Sequence, residues 1–216
     1  MSFRYACFIS YRRHEEETIR EMVEQFHKAL AGELEPLVGG GKIFRDTNIL
    51  KAGDFLEKKI SNAICQSVCM IMVYTPTYFD KDHTYCVREF KTMEKIESER
   101  LKLLPPSHND HGLIIPVIFR GSRFFPQEIK IKRIFFNFEN FLLCHREMNK
   151  HPDYAPKIRE IADYIADLCS IFAKFNGSIF TKMKEDKLLT NEEIKSFLDG
   201  HVKEWQIFPG NWHCGE

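Results

Sequence analysis

The chain has 216 residues, 44% of them hydrophobic, which is enough for one well-buried core and sets the expectation of a single main domain with elaborations. Lysine plus arginine and aspartate plus glutamate both number 31, so the formal charge is zero and no global field would draw the chain to nucleic acid or to an anionic membrane. The seven cysteines are odd in number and scattered, with Cys7, Cys65, Cys69 and Cys169 inside apolar runs; this argues against a disulfide framework and for buried thiols in a reducing compartment.

The N-terminal run MSFRYACFISY is too short for a signal segment, and no later stretch reaches the apolar length a bilayer requires, so a soluble cytoplasmic protein is expected. Tyr5 to Tyr11 is a short apolar run ending in charge, the pattern of a buried strand in a parallel sheet. From Glu15 to Ala31 the residues Ile19, Met22, Val23, Phe26 and Leu30 make a helical stripe, and Gly32 is expected to stop that helix. Lys42 to Arg45 predicts a second strand after the glycines Gly39 to Gly41. A long loop, DTNILKAGDF (Asp46 to Phe55), follows, and Ala52-Gly53-Asp54 within it opens a helix with Leu56, Ile60 and Ile64 on one face. Val68 to Tyr74 (VCMIMVY) is apolar throughout and ends at Thr75-Pro76, which predicts the central strand of a sheet covered on both faces.

Next comes a helix around HTYCVREFKTMEK (His83 to Lys95), then Leu113 to Phe119 as a fourth strand and Arg133 to Phe138 as a fifth. Tyr154 to Lys174 predicts a long helix with Ile158, Ile161, Ile165, Leu168 and Phe172 inward. After Phe175 the pattern lapses until Thr190 and Glu193, a capping box ahead of a helix carrying Ile194, Phe197, Leu198, Val202 and Trp205. The aromatic end WQIFPGNWHCGE is expected to pack on the parent domain. Alternation of strand and helix predicts an α/β fold: a flavodoxin-like, open five-stranded parallel sheet with helices on both faces, over residues 1–175, plus a C-terminal helical extension at 176–216.

Ligands of such sheets sit beyond the carboxyl ends of the strands, which selects Ser10 to Arg13, Arg45 to Asp54, Thr75 to Asp82 and Arg120 to Phe124. The glycine-rich VGGGKIF is not a phosphate loop, because Lys42 is followed by Ile43 and a strand rather than by a hydroxyl residue and a helix. A phosphoacceptor receiver would need acids where Ser10, Tyr11, Arg12 and Thr75 stand; Arg12 and Arg13 instead make that edge suited to phosphate. His108 to His111 lacks a matching ligand pair, so no metal site is expected. Glu89 lies one helical turn after Tyr85 and beside the stripe of Cys86, Phe90 and Met93. That places it at the rim of the sheet edge, half out of water, against the ordinary alternative of a solvated surface acid.

FISYRRHEE (Phe8 to Glu16), FRDTNILKAGDF (Phe44 to Phe55), VYTPTYF (Val73 to Phe79) and YCVREF (Tyr85 to Phe90) resemble, in order and spacing, the successive boxes of a TIR domain of the bacterial, NAD-cleaving type, over about Met1 to Phe175. The resemblance implies one of two functions. Catalytic members cleave the nicotinamide–ribose bond of NAD with a glutamate on the third helix, releasing ADP-ribose or making cyclic or conjugated ADP-ribose signals; others are scaffolds that turn nothing over. It places the catalytic acid on Glu89, with Tyr85 and Phe55 lining the nicotinamide–ribose pocket. Arg12 and Arg13 leave the first strand where a pyrophosphate would lie, and because side chains alternate only one of them is expected to face it, with Tyr11 a weaker candidate; Gly53 is expected at a turn or helix entry that also gives the ligand room. Many members carry Trp where this chain has Tyr85, which leaves a smaller stacking surface. NAD is then a substrate, no cofactor is implied, and Arg45 is expected to pair with Asp46. Self-association through the Asp46 to Phe55 loop is implied, with an effector or sensor protein as a further partner and antiviral defence as the setting. A non-catalytic interaction module is the alternative.

Overall fold

The computed structural model describes residues 3–13, 17–39, 42–45, 55–108, 110–143, 147–175 and 187–205. Five strands, β1 (Tyr5–Tyr11), β2 (Lys42–Phe44), β3 (Ser67–Tyr74), β4 (Ile114–Ile118) and β5 (Phe136–Asn137), form one sheet in the order β2-β1-β3-β4-β5, with every neighbouring pair parallel. Parallel neighbours cannot be joined by a tight turn, so the chain crosses over through helices. These are α1 (Glu17–Val38), α2 (Leu56–Cys65), α3 (Tyr85–Lys102), the short α4 (Gln127–Lys132) and α5 (Tyr154–Lys174). α1 packs with α5 on one face of the sheet and α2 with α3 on the other. All eight residues of β3 are buried, as its unbroken apolar run requires of a strand covered on both faces.

Three elements differ from their sequence readings. α1 does not stop at Gly32 but runs through it and through Pro36 to Val38. A helical glycine costs about 1 kcal/mol relative to alanine, and full burial of Leu30 and Leu34 on either side outweighs that cost. The helix ends where Gly39 takes a positive φ of 55°, a left-handed closing position that glycine adopts without penalty. The second difference is α4, six residues between the fourth and fifth strands, too short to leave a periodic signature.

The third is β5, two residues long rather than Arg133 to Phe138. Pro116 explains it. Met70 donates its N–H to Leu113 O and Phe119 donates to Tyr74 O, so the odd-numbered residues of β4 serve β3, whereas Ile118 O accepts from Phe138 N–H on the other side. The missing N–H of Pro116 therefore falls on the β5 side, and pairing begins only at Val117 with Phe136.

α3 is fastened to the N-terminal edge of the sheet by buried ionic groups. Arg100, 1% exposed, donates to Ser67 O (2.6 Å), Val68 O (3.1 Å) and Cys65 O (2.7 Å), and its guanidinium lies 4.7 Å from the Phe3 ring centroid. Burial lowers its pKa to about 10, which still leaves the group charged near neutrality. Glu97 accepts the Leu113 N–H (2.5 Å) and a two-point contact from Arg133 (2.8 and 2.5 Å). At the opposite edge Gly121 has a φ of 74°, and a Cβ there would lie 2.5 Å from Pro76 Cγ, so the loops after β3 and β4 meet where only glycine fits.

The thiols of Cys7 and Cys69 are buried in the sheet, and burial pushes both up; Cys169 is half-buried and pushed up to about 11. These are packing groups rather than nucleophiles. His108 packs against Phe175 and His111 against Tyr164.

The long helix stands where the sequence placed it, and beyond it a C-terminal helix, α6 (Asn191–Trp205), is present. Its capping box is reciprocal: Thr190 N–H donates to Glu193 Oε2 (2.8 Å) and Glu193 N–H to Thr190 Oγ1 (3.3 Å). Phe197 of α6 meets the rings of Phe79 and Phe90. The aromatic end after Trp205 lies outside the described residues. Among the described residues no helix is long and apolar enough to cross a membrane.

Arg133→Ala should lower the unfolding free energy by about 3 kcal/mol, because Glu97 is left with a buried charge and two donors fewer. A urea titration of the variant against the parent reads this as a drop in midpoint at unchanged slope.

Candidate functional site

β1 carries its apolar run up to the C-terminal edge of the sheet, where Ser10, 1% exposed, is paired in register with Met72 of β3. Its Oγ donates to Glu89 Oε2 at 2.5 Å and lies 2.6 Å from the Tyr78 hydroxyl. A serine has one hydroxyl hydrogen, and here it goes to the carboxylate, so Tyr78 must donate to Ser10. The result is a directed chain, Tyr78 O–H to Ser10 O–H to Glu89. Burial, then the charges of Cys86 and Glu89, push the Tyr78 hydroxyl well up, so it remains a phenol able to donate.

Local sequence sets each member. Thr75-Pro76 stops β3 and starts a short 3-10 turn, Pro76–Phe79, with proline in its first positions; the turn brings Tyr78 inward between Tyr74 and Phe79. Tyr74 is tied in turn by its hydroxyl to Phe124 O (2.8 Å) in the loop after β4. α3 then starts at Tyr85 and turns Cys86, Val87, Glu89 and Phe90 inward.

Glu89 is only 6% exposed, so the expectation of an acid half out of water is corrected: the carboxylate is enclosed. The cause lies in contacts distant in sequence, because Ser10 and the 76–79 turn cover the helix end and replace water with a hydroxyl. Tyr85, one turn earlier, is 45% exposed, with the Arg88 guanidinium 5.4 Å from its ring centroid. Tyr11 and Arg12 are half-buried at the end of β1, and Arg13 is exposed. Phe55, just ahead of α2, is 81% exposed. Gly53, Asp46 and the rest of the 46–54 loop lie outside the described residues. Arg45 is buried and pairs with Glu24 of α1 at 2.5 Å.

Sequence reasoning placed Ser10 and Tyr78 in the selected strand-end loops without giving either a role, and it did not single out Arg88. The first two stand inside the motifs FISYRR and TPTYF, and only their contact across the fold shows that they serve Glu89. Arg88 is 8% exposed and bridges to Glu57 Oε1 at 2.7 Å. The hydrogen bond from Arg88 is the main cause that holds the Glu57 carboxyl below its ordinary value.

An enclosed acid at the C-terminal edge of an open parallel α/β sheet, beside the crevice-forming loops, defines a doubly wound domain with a candidate site at its usual place. The TIR domain family model matches residues 7–140, more than half of the sequence, and the chain belongs to that family. Among solved structures, the TIR domain of the Toll-related receptor TRR-2 from Hydra magnipapillata is similar at 19% identity with a TM-score of 0.46, covering 74% of this chain and 98% of that one. The TIR domains of the activated Roq1 resistosome, which directly recognises the pathogen effector XopQ, are similar at 16% identity with a TM-score of 0.41, covering 92% of this chain and 98% of that one. No curated protein matches the sequence.

Ser10→Ala removes the donor to a buried carboxylate and should cost roughly 1.5–3 kcal/mol of stability. Glu89→Gln is isosteric and still accepts from Ser10, so its cost should stay under about 1 kcal/mol. Paired guanidinium chloride titrations of the two variants read the difference.

Proposed function

We propose that the chain cleaves the nicotinamide–ribose bond of NAD, with Glu89 as the catalytic residue and NAD as substrate rather than cofactor. The supporting observation is an enclosed carboxylate, fixed by the Ser10 hydroxyl, at the C-terminal edge of the sheet in a TIR-family chain. Nicotinamide in NAD is attached through a positively charged ring nitrogen and leaves as a neutral molecule, so scission needs no general acid. The bonding electrons leave with that nitrogen, and positive charge develops at the ribose carbon. A carboxylate in a low-dielectric position stabilises this charge more than one in water does, and Glu89 is then placed to take the proton of the attacking hydroxyl.

Tyr85 and Phe55 supply aromatic surface for the nicotinamide end, and Gly53 gives the ligand room. Tyr11 with Arg12 or Arg13 meets the pyrophosphate, for which a guanidinium is a two-point partner. Water as acceptor gives ADP-ribose; a hydroxyl or amine of the same or another molecule gives a cyclic or conjugated product. The reading is of a cytoplasmic enzyme that depletes NAD or makes a signal in antiviral defence, answering to a sensor or effector protein.

Self-association through the Asp46 to Phe55 loop belongs to the same proposal. Phe55 is 81%, Leu56 39% and Tyr85 45% exposed, and apolar surface of this kind is covered when a neighbouring copy docks. The same exposed residues favour the second reading, a TIR interaction module without turnover.

Concentrated protein incubated with NAD should release nicotinamide, and Glu89→Ala and Glu89→Gln should each lose at least about a hundredfold in rate. Equal turnover by all three removes Glu89 from the mechanism. No release from the parent, even with a crowding agent, assigns the chain to the scaffold class. Activity per molecule should also rise with protein concentration.

A further inference from the structure

Arg88 joins three separate segments of the chain. Its Nε donates to Leu189 O at 2.5 Å, its Nη1 to Glu57 Oε1 at 2.7 Å, and its guanidinium lies over the Tyr85 ring at 5.4 Å. Leu189 belongs to the stretch leading into α6, Glu57 to the first turn of α2 directly after the 46–55 loop, and Tyr85 opens the helix that carries Glu89. A guanidinium is planar, with its donors in a fixed fork, so acceptors on two sides and a ring beneath set its plane.

The C-terminal segment is seated along α3 by further contacts. Leu189 N–H donates to Thr92 Oγ1 (3.0 Å), Thr84 Oγ1 donates to Asn191 Oδ1 (2.8 Å), and Lys91 Nζ lies 4.6 Å from the Phe197 ring centroid. Leu188, Ile194 and Leu198 are buried. Phe197 covers Phe79 and Phe90, the chain neighbours of Tyr78 and Glu89. The segment thus spans the helix from just before Tyr85 to a turn past Glu89.

Apolar packing alone would seat such a segment; the backbone acceptor it offers to Arg88 adds a coupling. A buried guanidinium that loses one acceptor must turn toward water or stay underpaired, and turning releases Glu57 and uncovers Tyr85 together. We propose that Arg88 is a positioning residue through which the C-terminal segment, residues 187–198, sets the first turn of α2 and the Tyr85 ring, so that the extension controls the geometry of the Glu89 site. The consequence for turnover rests on the NAD-cleaving reading; the coupling itself does not.

Hydrogen–deuterium exchange of the full chain tests the coupling without any activity. Ile194→Asp forces a charge into a fully buried position and drives the segment off α3, an event that exchange at residues 187–198 reports directly. Ile194→Asp, and to a smaller degree Phe197→Ala, should raise exchange at residues 56–60 about tenfold. Arg88→Met should raise exchange there by itself, and adding Ile194→Asp to it should give no further increase. Arg88→Lys, which keeps the charge but loses the fork, should fall between.

An unchanged α2 signal while residues 187–198 open overturns the proposal. So does an equal further increase in the Arg88→Met background. If the parent cleaves NAD, Phe197→Ala should raise KM about fivefold with kcat within about twofold, as expected for loosened substrate contacts; lower thermal stability with unchanged KM overturns the link to the site. A parent without turnover removes the NAD reading and leaves the exchange result standing.

Discussion

α3 buries four ionic side chains, Arg88, Glu89, Glu97 and Arg100, and a charge withdrawn from water must be met by partners of its own. Glu97 and Arg100 find theirs at the N-terminal edge of the sheet, on the backbone of Leu113, Ser67 and Val68 and on Arg133. Glu89 meets Ser10, which is level with Met72 on β3. From Met72 back to Cys69, which is level with Leu113, the strand covers about 10 Å, and from Glu89 to Glu97 the helix covers about 12 Å. The two lengths are close, so helix and strand run side by side between the lower ionic contacts and the upper carboxylate. The candidate site thus shares its helix with the ionic contacts made at the far end.

Much of this was legible in the sequence because it is local. VCMIMVY announces a central strand by composition alone, the stripe in Tyr154 to Lys174 announces its helix, and Thr190 with Glu193 announces the start of α6. Glu89 was marked as the candidate acid by its motif and by its place beside the apolar stripe. What remained hidden depends on pairs far apart along the chain. Leu30 and Leu34 carry α1 past Gly32 through burial that no window of sequence displays. Arg133 leaves the expected fifth strand to bind Glu97, and Pro116 withholds the donor that strand would need. The enclosure of Glu89 rests on Ser10 and Tyr78, and the direction of that hydrogen-bond chain follows only once both distances are known.

Ser10 and Tyr78 also sort the site by task. Hydroxyls fix the carboxylate without neutralising it, whereas Arg88, its sequence neighbour, spends its donors on Glu57 and Leu189. Two adjacent residues on one helix thus serve separate ends, one facing the sheet and the other tying together the base of the loop after β2 and the C-terminal segment. Through Leu189 the C-terminal segment is bound directly to the helix that carries Glu89.

Pro116 has a bearing beyond the length of β5. A short outermost strand is easily peeled back, and a peeled sheet exposes a template onto which a strand of another molecule can add. On this chain that template is interrupted at its middle, because the side of β4 that would receive a foreign strand lacks a donor at Pro116. Ile131 and Ile134, ahead of β5, are 75% and 92% exposed, so an unbroken edge beside them would favour strand addition that Pro116 disfavours. The same residue that shortens β5 thus leaves a further strand without an unbroken row of donors on which to grow.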